Sequence, residues 1–262
     1  MDLGLKHKGV IVMAASSGLG KAIACEFARE QARVMLFSSS EEKLRKSRAD
    51  IEAETGNKPE YCVGDITKAR DIKQMVAAAV EKFGGVYVLV NNTGGPPAGT
   101  FDTFDDDDWQ RAYELTLLSY IRAVREVLPH MRAAGGGRIL CSTSSSIKAV
   151  LDNLILSNTF RSGVAGLAKT LSQELGKDGI LVNVIGPGRI DTPRIEQLDK
   201  IRADRTGVSK EELQQNTFKT IPLGRYGRPE EYGKVAVFLC SQANTYTTGQ
   251  SILVDGGLIK AV

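Results

Sequence analysis

The sequence is poor in the residues that metal and redox chemistry draw on. It holds two histidines, His7 and His130, and four cysteines, Cys25, Cys62, Cys141 and Cys240, in 262 residues. The cysteines lie far apart and none forms a CxxC pair, so no metal site and no disulfide framework is expected. Each falls in an apolar-patterned segment and reads as a buried free thiol of a reducing compartment. No apolar run approaches the roughly 18 residues that a membrane span needs, and no signal-like segment precedes the first strand pattern. A cytoplasmic protein without a membrane partner is expected. Charge of one sign is lacking too: the net charge is +3, the pI about 8.6, and the basic residues form no stripe. Nucleic acid is therefore not an expected partner. Repeats, low-complexity linkers and breaks in composition are also absent, which leaves residues 1–262 as a single domain.

What the chain does have is alternation. Short apolar runs at 9–14, 33–37, 61–63, 86–90, 138–143, 180–185 and 251–254 read as buried strands. Helix-patterned segments separate them. The clearest follows Lys68, where Ile72, Met75, Val76, Ala79, Val80 and Phe83 recur at helical spacing. Others run from Gly18, from about Ser40, around Trp109–Met131, over about 155–176, and from about Pro229. Strands alternating with helices predict an α/β fold of three layers, a doubly wound parallel sheet of about seven strands covered on both faces. The stretch 192–219 is polar and charged with little apolar periodicity. It reads as a solvated pair of helices, as a lid over a site, or as both.

Two places carry chemistry. The first is Ala14-Ala15-Ser16-Ser17-Gly18-Leu19-Gly20, between the first strand and the first helix. Glycines there let a backbone approach a phosphate resting on a helix N-terminus, although a plain tight turn uses the same residues. The second place joins Ser144, at the end of a strand, to Ser157 and Arg161, four apart on one face of the next helix. That puts a strand-end hydroxyl opposite polar groups on a helix.

The motifs, in order, resemble the short-chain dehydrogenase/reductase family, and members named 3-oxoacyl-acyl-carrier-protein reductases in particular. The resemblance covers essentially the whole chain and implies a Rossmann-type fold and a nicotinamide cofactor. The glycine loop resembles Gly-x3-Gly-x-Gly, with Ala14 in the place of the first glycine; an ordinary φ and a slightly tighter loop are expected there. Gly64-Asp65-Ile66 resembles the segment that meets the adenine. Asn91-Asn92-Thr93-Gly94 resembles Asn-Asn-Ala-Gly. Pro187-Gly188 and Ile190-Asp191-Thr192 resemble the nicotinamide-side loop.

The second strand ends Phe37-Ser38-Ser39-Ser40, without the carboxylate that bonds a ribose 2′-hydroxyl, so NADP is expected and NAD is the alternative. Ser38 and Ser39 are the candidate contacts, with Lys21 or Lys43 as nearby cations and Glu41 and Glu42 opposing them. The resemblance also implies a small-molecule substrate and a homotetramer, built on the long helices and the tail at Leu258-Ile259.

The chain departs from the family where the reaction occurs. Ser144 keeps the place of the catalytic serine. The helix motif Tyr-x-x-x-Lys reads Ser157-x-x-x-Arg161, and the asparagine of the proton relay reads Thr116. A serine hydroxyl is shorter and far less acidic than a phenol, and a guanidinium stays protonated. Lys148, four residues after Ser144, is the first candidate for a substitute proton donor, and water is the second. Two functions follow from these residues. One is an oxidoreductase on a small carbonyl, alcohol or acyl substrate with an altered proton donor. The other is a nucleotide-binding protein with little turnover.

Overall fold

The computed structural model describes residues 2–261, with the backbone alone at Arg205. β1 (Gly9–Met13) is buried throughout and leads into α1 (Gly18–Arg29), β2 (Arg33–Ser38), α2 (Glu41–Thr55), β3 (Glu60–Val63), α3 (Ala69–Phe83) and β4 (Val88–Asn91). The second half runs α4 (Asp106–Tyr113), α5 (Ser119–Ala133), β5 (Gly137–Ser142), α6 (Ile155–Leu175), β6 (Ile180–Pro187), α7 (Pro193–Thr206), α8 (Lys210–Thr220), α9 (Pro229–Cys240) and β7 (Ser251–Val254). Seven parallel strands lie in the order β3-β2-β1-β4-β5-β6-β7. The winding reverses between β1 and β4, which opens a crevice beyond their carboxyl ends.

The period-2 geometry of a strand splits the core into two layers. Val10, Val12, Val34 and Leu36 face one side, with Ile23 and Phe27 of α1 and Tyr232 and Ala236 of α9. Ile11, Met13, Met35 and Phe37 face the other, with Ile72 and Met75 of α3, Tyr120 and Val127 of α5 and Val164 of α6. Because both faces are covered, the strands read as continuous apolar runs in the sequence rather than as alternating ones. Three cysteines are buried free thiols as expected, but Cys62 is only half-buried. It lies on β3, the edge strand, which has a neighbour on one side alone.

The helical segment expected around Trp109–Met131 is two helices joined by a π-helical turn, Glu114–Leu118. Such a turn inserts one residue into the helical ladder and is frequent at functional sites. Thr116 sits in the middle of it, fully buried. The polar stretch after Thr192 forms α7 and α8, a helix pair with few buried residues.

The turn after β1 corrects one expectation. In place of the ordinary φ that the sequence predicts, Ala14 has φ 49°, in the left-handed region. The reason lies in what surrounds it. A Cβ on Gly20 would come within 2.3 Å of the Ala14 carbonyl oxygen, so the first turn of α1 presses on this peptide. Asn92 Nδ2, just past β4, donates to the Met13 carbonyl at 3.3 Å, and it too would lie within 2.8 Å of a Cβ on Gly20. The peptide is crowded by both neighbours, and Ala14 takes the backbone angle that remains. An alanine in this region costs roughly 1–2 kcal/mol. The extra chain freedom of a glycine costs about 0.5–1 kcal/mol, so the strain outweighs it. Ala14→Gly is therefore expected to raise the melting temperature by about 2–4 °C for each kcal/mol relieved. A thermal melt followed by circular dichroism checks this, and a lower melting temperature contradicts the strain.

Candidate active site

The phosphate-loop residues come together at the carboxyl end of β1. Ser17 caps α1 in an extended conformation, but its side chain makes no capping hydrogen bond. The first N–H groups of α1 are thus left for an anion, helped by the helix dipole. Gly18 has φ 56°, and a Cβ there would stand 3.9 Å from Thr192 across the crevice. Leu19 turns away from the crevice and packs on the core. The loop is held from behind: Ser47 of α2 donates to the Ala15 carbonyl at 2.9 Å, and the Ala15 N–H donates to Phe37 at 3.1 Å.

On the β2 side, the hydroxyls of Ser16 and Ser38 lie 3.0 Å apart, and Ser39 is exposed beside them. Glu41 does not compete for this space. Its carboxylate accepts two N–H groups of Arg45, at 3.1 and 2.8 Å, and the Tyr61 hydroxyl at 3.3 Å. Hydrogen bonding to Arg45 keeps it below the usual carboxylate range. Lys21 is engaged too, in a 2.6 Å ion pair with Asp50 of α2, so Lys43 is the cation left near the turn. Asp65 accepts from the N–H and the hydroxyl of Thr67, both at 2.8 Å, through the same oxygen, which leaves the other oxygen outward. Ile66 packs on the core.

The corner that carries Ser144 and Arg161 is built on one peptide carbonyl. Ser142 ends β5, and its oxygen accepts the Tyr120 hydroxyl at 2.6 Å and Arg161 Nη1 at 3.1 Å. The Ser142 hydroxyl donates to Tyr232 at 2.9 Å, because the Tyr232 hydrogen is used on the Ile185 carbonyl at 3.1 Å. Two residues on, Ser144 opens a short 3₁₀ turn, and its hydroxyl oxygen accepts the Ser146 N–H at 3.1 Å. Its own O–H is therefore available to a substrate oxygen. Ser157 and Arg161 share the buried face of α6 as their spacing predicts, 7% and 6% exposed. Thr116 Oγ1 and Asn91 Oδ1 are buried without a hydrogen-bond partner among the described residues. Lys148 is exposed just past the 3₁₀ turn, and no hydrogen bond draws it toward Ser144.

Sequence reasoning missed Tyr120. No tyrosine stands at helical spacing from Arg161, but Tyr120 is four residues after Thr116 on the same helix face, which is the signal that could have found it. Burial raises its phenol well above the ordinary tyrosine range, as it does for Tyr232, so both stay protonated as donors.

The far wall comes from the end of β6. A Cβ on Gly188 would strike Asp255 at 2.5 Å, so Pro187-Gly188 runs tightly beside the β7 end. Ile190 is buried, and Thr192 caps α7 through a 3.4 Å hydrogen bond to Ile195 N–H. Arg194, in the first turn of α7, reaches across the crevice and donates to the Pro96 carbonyl at 2.9 Å, lying against Gly95 of the loop that continues from Asn91, Thr93 and Gly94. Nothing in the sequence pattern singled it out.

Fold and site together define a dinucleotide-binding α/β protein with a strand-end serine beside the crevice. Residues 13–259 match the family model described as enoyl-(acyl carrier protein) reductase. The chain is 34% identical over 257 residues to the 3-oxoacyl-[acyl-carrier-protein] reductase of Thermotoga maritima, covering 97% of this chain and 99% of that one. It is 31% identical over 259 residues to the 7alpha-hydroxysteroid dehydrogenase of Escherichia coli K12, covering 99% and 97%. The crystal structure of L-sorbose reductase from Gluconobacter frateurii, complexed with NADPH and L-sorbose, aligns over 100% of both chains with a TM-score of 0.94 and 32% identity. The chain belongs to the short-chain dehydrogenase/reductase family.

Removing the Tyr120 hydroxyl tests whether the Ser142 junction sets the site. Tyr120→Phe takes away one buried hydrogen bond and leaves Arg161 on the same oxygen, so a loss of about 1–2 kcal/mol is expected. Denaturant unfolding reads that loss. An unchanged midpoint would mean that Tyr120 does not brace the strand end.

Proposed function

We propose that the protein is an NADP-dependent oxidoreductase acting on a small carbonyl, alcohol or acyl substrate, with a proton donor other than the tyrosine its relatives use. The observation that carries the reading is Arg161, buried on the carbonyl of Ser142, two residues before Ser144, in a chain that keeps Gly18 and Gly20 of the glycine loop. The crevice fits a dinucleotide. The first N–H groups of α1 are uncapped, Gly20 leaves no room for a side chain, and Asn91 Oδ1 is a buried acceptor lacking a partner. The Ser16 and Ser38 hydroxyls at the end of β2 support recognition of a 2′-phosphate, and the nearby Glu41 carboxylate is held by Arg45.

The chemistry that a bound nicotinamide supplies is hydride transfer to or from a substrate carbon. The chain's own groups then have separable roles. Ser144 donates its hydroxyl hydrogen to the substrate oxygen and orients it. Arg161 gives one N–H to Ser142; a guanidinium has further donors to hold ribose hydroxyls or an anion, and it is a poor proton donor to a substrate because it keeps its charge. Tyr120 gives its hydrogen to the Ser142 carbonyl, so it braces the strand end. The proton for the substrate oxygen then comes from water or from Lys148.

General acid catalysis contributes about 10²- to 10⁴-fold, whereas positioning supplies roughly 7–11 kcal/mol. Losing the phenol while the positioning is kept gives a slow enzyme rather than an inert one. One observation favours the second reading, nucleotide binding with little turnover: Thr116, where the family has its relay asparagine, has a buried hydroxyl with no hydrogen-bond partner among the described residues. NADPH binding, together with NADPH oxidation across ketones, quinones and acyl thioesters, separates the two.

Arg161→Ala is expected to weaken cofactor or substrate binding by about ten-fold or more, because a charged hydrogen-bond donor is removed. Ser144→Ala is expected to lower kcat more than Ser157→Ala does. Restoring the family pair, Ser157→Tyr with Arg161→Lys, should speed carbonyl reduction. Loss of turnover in Ser157→Ala with cofactor binding intact would make Ser157 a catalytic group and contradict this division of roles. For the cofactor, Ser38→Asp should shift the NADPH-to-NADH affinity ratio toward NADH by about ten-fold or more, since like charges brought together are costly. A wild type that already prefers NADH contradicts the assignment of this turn to a 2′-phosphate.

A further inference from the structure

The amino edge of the sheet, opposite Ser144 and the glycine loop, carries a cavity of about 590 Å³. Four strands begin around it. Lys8 precedes β1, Tyr87 precedes β4, Arg138 stands at the start of β5, and Gly179 precedes β6. A doubly wound sheet holds its dinucleotide at the carboxyl edge, so a cofactor bound there does not reach this cavity.

Glycines keep the cavity empty. Three turns meet in it, at Gly84-Gly85, Gly135-Gly136 and Gly179. A Cβ on Gly84, Gly85 or Gly135 would meet nothing within 4 Å. Gly84 and Gly135, with φ of 78° and 75°, need glycine for their backbone. Gly85 has no positive φ, so a side chain there would enter open space without straining the turn. The N–H groups of Gly85 and Val86 donate to no group among the described residues, although Val86 is only 2% exposed. Backbone N–H groups in such places seldom lack an acceptor.

The wall carries charge of one sign. Lys8 Nζ stands 4.9 Å from the centroid of the Tyr87 ring, and Arg138 Cζ stands 5.4 Å from the same centroid. No more than about 10 Å therefore separates the two cations, roughly one Debye length at 0.1 M salt, so each feels the other. Among the described residues neither has an ion-pair partner. Arg138 is fixed on neutral acceptors, the carbonyls of Gly137 at 2.9 Å and Asn244 at 3.2 Å. Among the described residues no carboxylate lines the cavity. Asp178, next to Gly179, is held by Arg132 at 2.7 Å. A lysine beside unused N–H groups of a glycine turn is a donor set that suits phosphoryl oxygens. The volume leaves room for more than a bare phosphate and falls within the roughly 300–1,000 Å³ of small-ligand sites.

We propose that this cavity binds a phosphate monoester of metabolite size, a sugar phosphate or a nucleoside monophosphate, at a site separate from the dinucleotide crevice. Lys8 and the N–H groups of Gly85 and Val86 hold the phosphoryl oxygens, Arg138 adds its charge, and the space above the glycines takes the organic part. Inorganic phosphate carries the same chemistry and is the other source of such a group. The site does not depend on the oxidoreductase reading, because it shares no residue with the crevice.

The test titrates the wild-type protein by calorimetry with ribose 5-phosphate, AMP and inorganic phosphate, with NADP⁺ saturating so that the start of α1 is occupied. At least one ester is expected to bind with a dissociation constant of about 1 mM or below, and more tightly than inorganic phosphate. Lys8→Gln should weaken that binding by about ten-fold or more, the range for hydrogen bonds to a charged group. Gly85→Glu sets a carboxylate in the open space and should abolish it. Both variants should keep NADP⁺ affinity within about three-fold of the wild type, since like charge is added or removed far from the crevice and is screened. A wild type that binds neither ester overturns the proposal, and ester binding that survives both substitutions does so too, because the phosphate would then sit elsewhere. Inorganic phosphate binding as tightly as both esters overturns the ester assignment. A wild type that binds no NADP⁺ defeats the oxidoreductase reading instead, and the two variants still decide whether the esters occupy this cavity.

Discussion

The carbonyl oxygen of Ser142 is where the second half of the molecule is pinned together. It accepts from α5 through Tyr120 and from α6 through Arg161. The hydroxyl of the same residue reaches α9 through Tyr232, which in turn holds the Ile185 carbonyl of β6. Three helices and two strands therefore meet at one residue in a dry interior. Unmet polar groups are expensive there and met ones fix geometry closely. Ser144 is two residues further along the same backbone, so its position is a consequence of that junction. An arginine suits the junction because it anchors one nitrogen on the carbonyl and still has donors to offer.

The glycine loop follows a comparable logic on the other side of the crevice. Helix α1 approaches so closely that Gly20 has no room for a methyl group, and the Asn92 amide closes the gap from the neighbouring strand. The result is a loop shaped by its supports, with Ala14 held in a backbone region that alanine avoids. An anion held there meets N–H groups already aimed, with little ordering left to do on binding.

Most of the frame was legible in the chain because it depends on local pattern. Val10 to Met13 announce a buried strand, the Ile72–Phe83 periodicity announces a helix, and their alternation leads to a parallel sheet. Ser157 and Arg161 could be placed on one buried face from their spacing alone. What escaped depended on tertiary contact. Ala14 takes its φ from Gly20 and Asn92, not from its own propensity. Tyr120 meets Arg161 only after β5 brings their helices together. Arg194 belongs to a polar helix whose pattern reads as a solvated surface, yet it is the side chain that crosses to Pro96. Cys62 looks like its three buried counterparts until the sheet order puts its strand at the edge.

The strand order also governs how the chain can assemble as it is made. Val10 pairs with Val34 on one side and with Val88 on the other. The first three strands can therefore form a small sheet early, but the inner edge of β1 stays open until β4 has been synthesised. β6 waits similarly for β7, whose Ser251 pairs with Val184. Until its later neighbour is made, each of these buried strands presents an unpaired edge, the kind of surface that recruits strands from other chains. Crowding during synthesis, rather than the stability of the finished sheet, is the point at which this topology is most exposed to failure.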